Sequence, residues 1–75
     1  MNFEQKAKAA NSKAEIDALI DSLPLGIGQD CEGTPEQCLL AGWVNAMDMV
    51  DSGEIKDESD FVRFAKSELE NMYGI

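Results

Sequence analysis

The sequence predicts an all-α protein, a compact three-to-four-helix bundle, on three observations. Apolar residues recur at three- and four-residue spacing in several segments, capping residues stand where those segments begin, and no stretch alternates apolar and polar residues as a half-buried strand would. At 75 residues and 44% hydrophobic composition, the chain has apolar surface for one core and too little for two, so residues 1–75 are expected to form a single domain.

One stripe, Phe3, Ala7, Ala10 and Ala14, and a second, Ile16, Leu19, Ile20 and Leu23, would point in nearly opposite directions on one continuous helix. Asn11 and Ser12 supply a break, and Ser12 with Glu15 has the spacing of a capping box that starts a new helix ended by Pro24. A loosely held first helix and a short, well-packed second one are expected. Residues 24–34, PLGIGQDCEGT, hold three glycines and a proline without a period, which predicts a loop with Leu25 and Ile27 tucked beneath it. Thr34 then suits an N-cap, Pro35 the first helical position and Gln37 the return bond of a capping box. This helix is expected to run to about Asp51, with Gly53 just beyond its end. Its apolar positions, Leu39, Leu40, Trp43, Ala46, Met47 and Val50, widened by Val44 and Met49, make it the central helix and predict a largely buried Trp43. Asp57 or Ser59 can cap the last helix, which Phe61, Val62, Ala65, Leu69, Met72 and Tyr73 line before Gly74 closes it. Phe64 falls off that face and is a candidate for contact with something else.

The longest apolar runs are a few residues, far short of the roughly 20 needed to cross a bilayer, and the N-terminus has no long apolar signal segment; a soluble, cytosolic protein is expected. In a reducing compartment Cys31 and Cys38 are expected as thiols, with a single bridge as the other arrangement. The absence of histidine excludes Ser-His-Asp and Cys-His catalysis, and no enzyme is predicted. A zinc site would have to recruit Asp30 or Glu32 to the two cysteines at unusual spacing. Residues 48–59 mimic a calcium loop at Asp48, Gly53 and Ile55 but fail at Val50 and Ser59, where a ligand and a bidentate glutamate are required. Gly26, Gly28 and Gly33 lack the preceding strand and following Gly-Lys-Ser/Thr of a phosphate loop. No metal and no cofactor are expected.

Net charge is −9 at a sequence pI of about 4.1, which excludes ordinary nucleic-acid binding and attraction to anionic membranes. The acidity is regional. Residues 1–14 carry +2 and residues 61–75 carry zero, while residues 15–60 hold twelve acids against Lys56 alone, a net of −11. Asp17 and Asp21 stand at like-charged i,i+4 spacing, and Asp48, Asp51, Glu54, Asp57, Glu58 and Asp60 form the densest cluster. Repulsion tolerated over one region points to a basic partner, and these eight residues are the candidate binding set. A 75-residue globule has a radius of gyration near 11 Å and a diameter of about 29 Å, and duplex DNA of that length carries about 17 phosphates, the same order as twelve carboxylates.

In size, helicity and the acidic segment 15–60 the chain resembles the small acidic phage-encoded inhibitors that include anti-CRISPR proteins and DNA mimics. The resemblance carries over no residue role. It implies a non-catalytic protein of the host cell cytoplasm that occupies the basic nucleic-acid-binding surface of a defence complex. The alternative is an acidic adaptor or regulatory module on a basic protein. A third reading is a small carrier, because Asp21, Ser22 and Leu23 match the Asp-Ser-Leu tripeptide of acyl carrier proteins, although there the serine opens a helix and here Ser22 precedes Pro24.

Overall fold

The computed structural model describes residues 2–24, 26–28 and 33–73. They form four helices, α1 (Phe3–Ala9), α2 (Lys13–Asp21), α3 (Pro35–Ser52) and α4 (Glu58–Tyr73), with no strand among the described residues, so the protein is an all-α bundle. The radius of gyration is 11.2 Å and the principal extents are 30 × 23 × 22 Å. No helix among the described residues is long and apolar enough to cross a membrane.

Local chemistry sets each boundary. Asn2 caps α1, taking the Gln5 N–H at 2.8 Å and receiving the Gln5 side chain on its own N–H at 3.2 Å. Ser12 caps α2 through the Glu15 N–H, but the box is half made, because the Glu15 carboxylate accepts the Ser12 hydroxyl instead of the Ser12 N–H. Thr34 and Gln37 complete a full box at the start of α3. At its end Gly53, at φ 85°, lets the Gly53 N–H reach Val50 O and the Glu54 N–H reach Met49 O, the paired bonds of a Schellman turn. That turn directs Ile55 into the core and leaves Glu54 outside. Asp57, not Ser59, caps α4: its carboxylate accepts the Asp60 N–H at 2.9 Å, and the Ser59 hydroxyl donates to the same oxygen. The described part of α4 ends at Tyr73, whose hydroxyl donates to Gly33 O at 2.6 Å and so ties α4 to the approach to α3.

The principal packing is α4 doubled back on α3. They meet closest at Gly42, where an added Cβ would run into the main-chain carbonyl of Ala65. Leu39, Phe61, Leu69 and Cys38 fill the space around this contact, and Ile16 closes it from α2. The expected contrast between the first two helices is not seen: α1 buries Ala7, with its C-cap Ala10 2% exposed, and α2 buries Ile16, with Leu19 and Ile20 half-buried against the core. Ala14 is exposed, because the chain turns at Ser12 before that stripe can continue.

Trp43 is half-buried at the core's edge, not inside it, and Val50 is 37% exposed. The wide apolar arc of α3 exceeds what three short neighbours cover. Ile27 is half-buried and its carbonyl accepts the Gln37 side-chain amide at 2.8 Å. Cys38 is buried on α3. Leu25, the Cys31–Cys38 pairing, Asp30, Glu32 and the closing Gly74 lie outside the described residues.

Candidate acidic interface

Among the described residues no polar or charged side chain is buried, so their charge is carried on the surface. The structure divides the eight acids of the candidate set by what they do inside the fold. Asp17 takes Lys13 Nζ at 2.7 Å on one oxygen and Trp43 Nε1 at 2.9 Å on the other, fastening α2 to α3. Burial pushes its carboxyl up, but the Lys13 and Trp43 hydrogen bonds and the Lys13 charge outweigh it and hold the pKa below the ordinary value. Glu58 accepts the Lys13 N–H at 3.2 Å, serving the first turn of α2 from the start of α4. Asp60 pairs with Arg63 at 2.7 Å.

Asp57 is committed to its cap. The Asp60 N–H, then the Ser59 hydroxyl and the Arg63 charge, hold its carboxyl below the ordinary range against a smaller opposing effect of burial. Asp57, Glu58 and Asp60 therefore stand where a helix start favours anions. Asp48, Asp51 and Glu54 have no such reason: they crowd the C-terminal end of α3, whose last turn contains no base. All three are exposed, and like that of Asp21 their side chains make no hydrogen bond or ion pair within the described residues. The six-residue cluster thus separates into three acids used by α2 and α4 and three left to solvent.

Tertiary packing adds a member that lies outside the acidic segment. Where the outer faces of α3 and α4 diverge, Asn45, Asp48, Met49, Ser52, Glu54, Phe64, Ser67 and Glu68 line a groove of about 430 Å³. Met49 and Phe64 are half-buried and packed against the core, giving the groove an apolar floor, and Asp48, Glu54 and Glu68 give it three carboxylates with no lysine or arginine among the lining residues. Two other hollows mix charges, one holding Lys6 with Glu15 and the other Lys13 and Lys56 with Asp57 and Glu58. No three acids among the described residues converge closely enough to hold a metal ion.

Glu68 escaped the sequence-based set because residues 61–75 are neutral in sum. A signal was present: Phe64 and Glu68 stand at i,i+4, and Asn45, Met49 and Ser52 follow one another at spacings of four and three on α3. That these two faces share one groove follows only from the packing of the helices. Ser22, the residue of the carrier reading, closes α2 with its hydroxyl on Leu19 O at 2.7 Å and opens no helix.

No match emerged from comparison of the chain with protein families, with curated proteins or with solved structures. The functional reading rests on the charge distribution alone.

Proposed function

We propose that the protein is a non-catalytic acidic binding protein that occupies a basic surface of another protein, as an inhibitor of the anti-CRISPR or DNA-mimic type does at the nucleic-acid-binding surface of a host defence complex. One observation carries the proposal: Asp48, Asp51 and Glu54 are exposed without internal partners, while Lys13 and Arg63 are engaged by Asp17 and Asp60. Carboxylates that stabilise no helix end and pair with no base cost the isolated fold repulsion, which a cationic partner relieves. The 30 Å long dimension supports the comparison of scale with a short duplex.

The experiment is capture from a bacterial host lysate on the immobilised chain at low salt, followed by elution at high salt and by nuclease protection or DNA-binding assays on whatever elutes. The expected result is a basic nucleic-acid-binding protein whose DNA or RNA binding the chain blocks. The Asp51→Lys/Glu54→Lys variant should retain its helical spectrum and lose the capture. Capture of a basic protein with no nucleic-acid activity would favour an adaptor, and capture unaffected by the double variant would remove this surface from the interface.

A further inference from the structure

We propose that the groove between α3 and α4 is an arginine-reading site: it takes an arginine side chain from a basic segment of the partner, with the guanidinium at Phe64 and the segment's positive charge facing the groove's acids, Asp48, Glu54 and Glu68. This rests on the proposed function and adds the chemistry of what the acidic surface selects. A groove lined only by acids would hold any cation. Here half-buried Phe64 and Met49 form a floor, and a planar, weakly hydrated guanidinium on an apolar stem suits floor and rim together. A compact, strongly hydrated lysine ammonium meets the carboxylates and gains less from the ring.

One guanidinium of the chain already lies near this ring. Arg63 Cζ lies 5.5 Å from the Phe64 centroid, yet Arg63 is anchored to Asp60 and does not line the groove. The groove's own carboxylates are consequently left without a cation from the described residues. Its volume of about 430 Å³ falls in the range of clefts that enclose a small ligand, roughly 300–1,000 Å³.

The test uses two synthetic peptides of equal length and charge, one carrying arginines and the other lysines at the same positions, titrated into the isotope-labelled full chain. The arginine peptide should bind roughly two- to fivefold more tightly, with amide shifts concentrated on Asn45, Asp48, Phe64, Ser67 and Glu68. Asp48→Asn/Glu68→Gln should weaken it by roughly tenfold. Phe64→Leu, which keeps an apolar side chain against the core, should abolish the preference and leave the lysine peptide's affinity unchanged. Melting curves establish that each variant is folded. Equal affinity for the two peptides, or shifts confined to Asp51 and Lys56, would overturn the arginine site while leaving lysate capture and its sensitivity to Asp51 and Glu54 untouched. Lysate capture that fails while the arginine preference persists would overturn the proposed function alone.

Discussion

Asp17 holds the Trp43 indole N–H at 2.9 Å and the Lys13 ammonium at 2.7 Å, one on each carboxylate oxygen, so an acid expected to face a partner is a tie between α2 and α3. It also accounts for the position of Trp43, whose ring packs on the core while its polar edge remains at the surface to meet the carboxylate.

Removing that tie should be felt in both stability and fluorescence. Asp17→Ala is expected to cost about 1 kcal/mol, the usual worth of a lost hydrogen bond, and to shift Trp43 emission to the red as the indole is freed. Urea unfolding followed by fluorescence measures both. Unchanged emission and midpoint would mean that Trp43 is held by packing alone.

Two carboxyls impose an acid limb on stability. In Asp57 the Asp60 N–H leads, and in Asp17 the Lys13 and Trp43 bonds overcome burial; both pKa values lie lower in the folded chain than in the unfolded one. The folded state therefore binds fewer protons, and the stabilisation is complete above the unfolded value, roughly pH 4, and is lost as pH falls through the folded values. Asp57→Asn keeps a capping side chain but removes the charge. Its deficit in melting temperature relative to the wild type should narrow as pH drops from 5 to 2, and a constant deficit would contradict the assignment.

The α3–α4 contact at Gly42 should tolerate no side chain. An alanine there would gain about 1 kcal/mol in helix propensity, but its Cβ meets the Ala65 carbonyl, main chain that cannot turn aside as a side-chain tip can. Overpacking of this kind costs about 1–3 kcal/mol, and Gly42→Ala is expected to be a net loss in a urea titration. A stabilised variant would show that α4 can shift outward freely.

Only two ion pairs, Lys13–Asp17 and Asp60–Arg63, form among the described residues. Sodium chloride should therefore raise the melting temperature by screening the unpaired acids over a Debye length of about 8 Å near physiological strength. Asp51→Lys/Glu54→Lys places cations at the C-terminal end of α3, where the helix dipole favours them. This variant should melt higher than the wild type at low salt and respond less to added salt. A wild-type melting temperature independent of salt would mean that the acids do not repel one another appreciably.

Much of the architecture was legible locally. Thr34, Gln37 and Gly53 mark the ends of α3 because caps and Schellman turns depend on residues within one helical turn, and Ser12 marks the break between α1 and α2 for the same reason. The site was legible in part. The crowding of Asp48, Asp51 and Glu54 could be counted along the chain, but whether each acid was already in use could not, since Glu58 serves Lys13 across 45 residues and Asp17 serves Trp43 across 26.

By itself the sequence determined the helical class, both ends of α3, the start of α2 and the excess of acid, all of which follow from residue types and short-range spacing. Only the tertiary structure decided how α4 meets α3 and which acids remain unpartnered. Gly42 brings α4 onto α3, where its missing Cβ leaves room for the Ala65 carbonyl. The same packing brings Glu68 beside Asp48 and Glu54, because a groove is made from the outer faces of two helices and no spacing within either one specifies how those faces meet.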